Sequence, residues 1–144
     1  FEVAKDDGAT LLAGGEKAVG DGLENGFFLK PTIYGDVDNN MRIAREEIFG
    51  PVAVLIPFED EAEAISIAND TEYGLVAGIW TKDLTRAHRV SSQIDAGQIY
   101  VNYYHESGVE HPLGGYKKSG IGREKGLAAL KQYTQTKNIS IKLI

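Results

Sequence analysis

Apolar and polar positions are ordered most clearly in the middle of the chain. Val52-Ala53-Val54-Leu55-Ile56-Pro57-Phe58 is almost wholly apolar, the pattern of a strand buried on both faces. Asp60, with Glu63 three residues later, predicts a capped helix start. Ala64, Ile65 and Ala68 then fall on one helical face. Gly74 is expected to break that helix, and Leu75-Val76-Ala77-Gly78-Ile79-Trp80 reads as a second apolar strand. Asp83 can cap a second helix, whose Leu84, Ala87, Val90 and Ile94 form an apolar stripe. Gly97 is expected to end it before a third strand, Gln98-Ile99-Tyr100-Val101. Strand, helix, strand, helix, strand is the pattern of right-handed parallel crossovers, so the expected fold class is α/β with a parallel sheet at its centre.

The flanks are less regular. Residues 1–8 read as the end of a helix stopped by Gly8, and Ala9 to Ala13 as a short strand. Residues 14–26 are rich in glycine and charge and read as loop, followed by two short β-type runs, 27–29 and 31–34, broken at Pro31. Residues 103–119 carry neither period, yet hold Tyr103, Tyr104, His105, His111 and Tyr116. A connection of that length is usually functional or disordered, and its aromatic content argues against disorder. A helix is expected from Arg123 to Tyr133, with Leu127, Leu130 and Tyr133 on one side. The chain closes on Asn138-Ile139-Ser140-Ile141-Lys142-Leu143, a strict two-residue alternation. A one-sided strand needs a sheet to join or it is an exposed edge, so an intermolecular sheet contact is expected there.

Composition narrows the classes. The 144 residues suit one domain of ordinary size, and a net charge of −6 argues against a general binder of phosphate backbones. There is no long apolar run that would cross a membrane and no charged-then-apolar leader, so a soluble, cytoplasmic location is expected, with no nucleic acid and no membrane among the partners. The absence of cysteine excludes a disulfide framework and a thiol nucleophile within these residues. The only methionine is Met41 and the chain opens at Phe1, which suggests a segment that begins inside a helix of a longer chain rather than a complete small protein freed of a tag.

Three constellations invite chemical readings. His105-Glu106-Ser107-Gly108-Val109-Glu110-His111 offers two imidazoles and two carboxylates, but it matches no metalloprotease spacing and Gly108 disfavours a ligand-presenting helix; the expectation is a polar loop and no metal. Gly120, Gly122 and Gly126 are spaced one residue too widely for a dinucleotide loop and follow no buried strand, so they are read as permitting a tight entry to the next helix. In Arg45-Glu46-Glu47-Ile48-Phe49-Gly50-Pro51, two adjacent carboxylates face different ways and at most one would point into a site. Such a carboxylate could accept both hydroxyls of a ribose diol while Phe49 lay against a flat ring. The other reading is a solvated charge pair beside a core phenylalanine.

That last segment resembles the E-E-I-F-G-P segment of the NAD(P)-dependent aldehyde dehydrogenases. Ala68-Asn69-Asp70-Thr71-Glu72-Tyr73-Gly74-Leu75, Val101-Asn102 and Leu113-Gly114-Gly115-Tyr116-Lys117-Lys118-Ser119-Gly120-Ile121-Gly122-Arg123-Glu124 are similar to further motifs of the same family, in the same order. The likeness covers essentially the whole chain, but only about the last third of a typical member. It implies a parallel-sheet catalytic-domain portion over residues 1–118, a helix returning to the cofactor domain over 119–137, and an oligomerisation strand over 138–144.

The resemblance further implies oxidation of an aldehyde to a carboxylic acid: a cysteine thiolate attacks, hydride passes to the nicotinamide, and a glutamate base releases water to hydrolyse the thioester. The cysteine and the base would lie upstream of Phe1, leaving this segment inactive alone. Glu47 matches the glutamate that holds the nicotinamide ribose, and Phe49 the aromatic beside the nicotinamide. Glu124 matches a carboxylate one layer from the reaction that can relay protons, while Arg123 is read as structural. Ser107 and Leu113 match positions of the aldehyde pocket where many members carry aromatics, so with Tyr103, Tyr104 and His111 the pocket is expected to be mixed. The implied cofactor is NAD or NADP, the substrate a small aldehyde, and the assembly a homo-oligomer, dimer or tetramer, joined by its last strand. The rival classes are a free-standing, non-catalytic assembly module and a relative that forms an acyl phosphate or acyl-CoA.

Overall fold

In the computed structural model, which describes residues 1–20, 22–105 and 108–144, the first helix stops where its glycine predicts. Helix α1 (Glu2–Asp6) ends in a left-handed Gly8, φ +84°. The amide of Gly8 donates to the Lys5 carbonyl at 3.1 Å and that of Ala9 to the Ala4 carbonyl at 2.9 Å. These are the paired bonds of a Schellman cap, which satisfy the orphan carbonyls of the last turn and release the chain into strand β1 (Thr10–Ala13).

The chain divides into two units, Phe1–Asp70 and Thr71–Ile144. The first is built on strand β2 (Thr32–Gly35), which pairs antiparallel with β1 and parallel with β3 (Val52–Val54). Its core consists of Ala4, Tyr34, Val37 and Ile43, with Ala9, Met41, Ala44, Val52, Val54 and Ile56 packed around them. The one-turn helix α2 (Arg42–Arg45) supplies Ile43 to that core. Its Ile43 amide is capped by the Asp7 carboxylate at 3.0 Å. Helix α3 (Glu61–Asn69) closes the unit.

The apolar run 52–58 proves one-sided. Val52, Val54 and Ile56 face the core, whereas Ala53, Leu55 and Phe58 are exposed. Periodicity within an unbroken apolar run carries no signal about which face is covered, and in this unit only one layer lies against the strand. Phe27-Phe28-Leu29 forms no strand either; it contributes a single bridge, Lys17 to Leu29.

At the start of α3, Asp60 accepts from the Glu63 amide at 2.9 Å, as its spacing predicts. The returning bond is displaced by one residue: Glu63 accepts from the amide of Glu59, not of Asp60. Helix α3 buries no residue fully; Ala64, Ile65 and Ile67 are half-buried and Ala68 is exposed.

In the second unit, β5 (Val76–Ile79) and β6 (Gln98–Val101) pair in parallel, joined by helix α4 (Leu84–Ser91). The parallel pairing expected of one central sheet is thus shared between two sheets, β2 with β3 and β5 with β6. Asp83 caps α4 through the Arg86 amide at 3.0 Å. Ala87, Val90 and Ile94 turn inward, but Leu84 stays exposed. Both glycines expected to end helices do other work. Helix α3 stops at Asn69, and Gly74 lies buried in β4 (Tyr73–Gly74), which pairs antiparallel with β7 (Tyr116–Lys117). Helix α4 stops at Ser91, and Gly97 admits a close crossing of backbones, since a Cβ there would stand 1.7 Å from the Gly114 carbonyl oxygen.

The helix expected from Arg123 begins only at Leu127 and is a 3₁₀ segment, Leu127–Tyr133. Its Leu127, Leu130 and Tyr133 are exposed, so no packed layer draws it into an α-helix. Residues 134–144 form no regular element among the described residues, and Ile139, Ile141 and Leu143 stand in solvent. No helix of the described residues is long and apolar enough to cross a membrane.

Thr32 ties the first glycine-rich loop to the sheet. It is 2% exposed, donates to the Lys30 carbonyl at 2.9 Å and accepts from the Gly15 amide at 2.9 Å. Thr32→Val keeps the shape but strands that amide, and should cost about 1–3 kcal/mol of unfolding free energy. Thr32→Ser keeps the oxygen and should cost less. Urea melts giving equal midpoints for the two variants would refute this role.

Candidate functional site

The candidate cofactor residues sit where α2 hands over to β3. Helix α2 ends at Arg45 and the chain leaves it extended at Glu46, ψ 142°. Arg42 Nε donates to Glu46 Oε1 at 2.6 Å, one helical turn along. That guanidinium, through its hydrogen bond first and its charge second, holds the Glu46 carboxyl below the usual carboxylate range. The neighbouring Glu47 makes no hydrogen bond or ion pair to any described residue and lies exposed. Of two adjacent carboxylates, therefore, one is committed to an arginine and the other is available to a ligand.

Phe49 is 94% exposed and holds a left-handed backbone, φ +51°. For a bulky residue that conformation costs of order 1–3 kcal/mol and is found mainly at functional sites. Phe49 is thus turned away from the core, against the alternative of a core phenylalanine. Glu47 and Phe49 line one pocket of about 370 Å³, with Val3, Ala4, Tyr34, Ile43 and Val52 among its apolar walls. An uncommitted carboxylate beside an exposed phenyl ring suits a diol joined to a flat heterocycle, the two parts of a nicotinamide riboside.

A second group lies in the other unit. Leu113 and Glu124 form an antiparallel bridge, the Leu113 amide donating to the Glu124 carbonyl at 2.8 Å and the Glu124 amide to the Leu113 carbonyl at 2.7 Å. Both line a pocket of about 270 Å³ with Leu75, Ser119, Arg123 and Gln132. Arg123 holds the surrounding turns: its Nη1 donates to the Gly115 carbonyl at 3.1 Å and the Gly122 carbonyl at 2.6 Å, and its guanidinium lies 5.3 Å from the Tyr116 ring centre. Gln132 in turn donates to the Arg123 carbonyl at 2.7 Å.

The other pocket candidates are not gathered there. Tyr103 and Tyr104 pack on the buried ring of Tyr100, at centroid distances of 5.0 and 5.4 Å, and His111 stands beside Glu110 at 3.5 Å. Ser107 lies outside the described residues.

Asn102, which the sequence pattern gives no role, has one in the geometry. With φ +62°, it donates to the Thr81 carbonyl and accepts from the Thr81 amide, both at 2.8 Å. The side chain thereby imitates a strand neighbour and sends the chain back so that Tyr103 and Tyr104 meet Tyr100. An asparagine directly after a strand, able to take a left-handed backbone, is the signal from which this turn could have been read.

The chain belongs to the aldehyde dehydrogenase family, whose model matches residues 1–139. It is 51% identical over 143 residues to a betaine aldehyde dehydrogenase of Brucella anthropi, which covers 99% of this chain and 29% of that protein. Among solved structures it is similar to the indole-3-acetaldehyde dehydrogenase of P. syringae in complex with NAD+ and IAA, with TM-score 0.91 and 45% identity over 99% of this chain and 28% of the other. An aldehyde dehydrogenase of Mycobacterium tuberculosis complexed with NAD+ matches with TM-score 0.87 and 46% identity, over 93% and 27% of the two chains. The chain thus spans under a third of the length of these relatives.

The Arg42–Glu46 pair gives a titration with a definite sign. Glu46 is lowered in the folded protein, so the pair's contribution is complete above the ordinary carboxylate pKa and is lost as pH falls through the lowered value. Arg42→Gln should return Glu46 to the ordinary range. Carboxyl NMR titration of both proteins checks this, and superimposable Glu46 curves would show that the pair does not hold in solution.

Proposed function

We propose that this chain forms part of a cytoplasmic enzyme that oxidises a small aldehyde to a carboxylic acid with NAD(P)+. The observation that carries the reading is the division of labour at Glu46 and Glu47. Arg42 neutralises the first, and the second is left uncommitted beside the outward-facing Phe49. The NAD+ complexes among the similar structures support the same reading.

When bound, the dinucleotide supplies a two-electron acceptor. Glu47 would accept hydrogen bonds from the nicotinamide ribose hydroxyls, and charge-assisted bonds of that kind are short and directional. Phe49 would limit the tilt of the ring, with its strained backbone fixing where the phenyl stands. Both effects are positional: they narrow the arrangements in which substrate and acceptor meet. Leu113 and Ser107 would contribute to the wall of the aldehyde pocket. Glu124, fastened to Leu113 by two backbone bonds, would hold and pass a proton on its carboxylate. The chain contains no cysteine, so the thiolate nucleophile must come from other residues of the enzyme, and residues 1–144 alone should be inactive.

Residues 138–144 are the proposed oligomerisation strand. Their alternation has the period of a strand with one covered face, and the alternate Ile139, Ile141 and Leu143 are exposed here. A second copy of the enzyme offering a sheet edge would cover them.

In the complete enzyme, Glu47→Gln keeps size and removes charge, and should lower kcat by about one to two orders of magnitude. Steady-state kinetics with NAD+ and NADP+ read this directly, and unchanged turnover with both would refute the ribose assignment. Deleting residues 138–144 should shift the complete enzyme to smaller species in light scattering. A mass per particle equal to the parent's would remove the strand from the interface.

A further inference from the structure

Asp70, the residue that caps the C-terminus of α3, is the meeting point of two side chains from around α2. Arg45 Nη2 donates to Asp70 Oδ2 at 2.7 Å, and Arg45 Nη1 donates to the Asp70 backbone carbonyl. Asn39 Nδ2 donates to the same Oδ2 at 2.8 Å and to the same carbonyl at 3.3 Å. The Asp70 amide is itself held by the Ser66 and Ile67 carbonyls at 2.9 and 3.2 Å. One carboxylate and one carbonyl thus each receive the same two donors, and the guanidinium sits at the negative end of a nine-residue helix.

Single exposed ion pairs contribute little to stability, so the worth of this arrangement lies elsewhere. Arg45 is the last residue of α2, directly ahead of the two glutamates. Fixing both ends of its fork on a helix terminus fixes the direction in which the chain leaves α2. A one-turn helix has too few internal bonds to hold that direction by itself. The Asp7 carboxylate on the Ile43 amide secures the start of α2, and Arg45 on Asp70 secures its end.

We propose that Asp70, Arg45 and Asn39 form a positioning clamp that aims Glu47 at the nicotinamide ribose. This rests on the reading of Glu47 given above. The clamp touches neither cofactor nor substrate, and it acts through the backbone of residues 45–47. Its loss should therefore matter only while Glu47 has a charge to aim.

A double-mutant cycle in the complete enzyme tests this, with Asp70→Ala, Glu47→Gln and the pair together. Each is scored on NAD+ affinity by calorimetry and on kcat at saturating NAD+. Asp70→Ala should lose about threefold to tenfold in whichever quantity Glu47→Gln loses, and the double variant should fall no further than Glu47→Gln alone. Losses that multiply in the double variant would show a merely structural Asp70 and overturn the clamp. So would an Asp70→Ala protein equal to the parent in both quantities. If Glu47→Gln itself changes neither, the ribose reading fails first and the clamp falls with it, an outcome separable from the other two. Arg45→Gln opens the same clamp from its other side and replaces Asp70→Ala in the cycle should that variant not fold.

Discussion

The arrangement of Phe1–Asp70 depends on the central place of β2, bonded on one side to β1 and on the other to β3. Tyr34 on this strand is 4% exposed and anchors the core, and the Thr32 amide donates to the Pro51 carbonyl at 2.9 Å. That last bond fixes where the chain must arrive after the site. Asp7 and Asp70 hold the two ends of α2, through the Ile43 amide and the Arg45 guanidinium. Between the two lies the left-handed Phe49, φ +51°. A positive φ is uncommon for a bulky side chain and has to be held by the structure around it.

Charge is distributed with the same economy. Helix α2 carries Arg42 and Arg45 close along one turn, yet they serve different carboxylates, Glu46 and Asp70. Were both to face the Glu46–Glu47 pair, neither acid would be free to receive a ligand. Directing Arg45 to the end of α3 leaves Glu47 as the uncommitted acid. The availability of that group is thus a property of the whole turn and of a helix far along the sequence, not of the residue itself.

What could be read from the sequence was whatever depends on neighbours in the chain. The caps at Asp60 and Asp83, the glycine stop at Gly8 and the strands 76–79 and 98–101 rest on local bonds or local period, and they stand where the pattern puts them. Features set by distant partners leave no such local mark. Gly74 and Gly97 look like helix stops, but their lack of a side chain serves approaches to the Asp95 and Gly114 backbones. The run 52–58 looks two-sided because composition alone cannot count the layers above a strand. At the site, adjacency implies that at most one of Glu46 and Glu47 points into a site. The choice of Glu47 rests in the sequence on the resemblance alone, because the partners that occupy Arg42 and Arg45 are named by no local pattern. The bridge between Leu113 and Glu124 crosses a stretch without period, so no pattern could pair them.

The apolar side chains left in solvent follow a rule of their own. Leu127, Leu130 and Tyr133 recur at the spacing of a helix that buries one side, and Ile139, Ile141 and Leu143 at that of a strand that buries one face. Single exposed apolar residues need no explanation, but a periodic series of them does, because periodicity is the mark of a surface meant to be covered. Nothing described in Thr71–Ile144 covers either series. The 3₁₀ form of 127–133 agrees: a segment with good helical composition reaches a full α-helix mainly when tertiary packing rewards it. On the proposed reading the covering layers would come from other residues of the enzyme or from another copy of it, and the two series differ in which they suit. A helix face is covered by side chains and asks only for a complementary apolar surface. A strand also presents a row of amides and carbonyls that only another strand can satisfy, so 138–144, if extended as proposed, would make the more specific demand of the two.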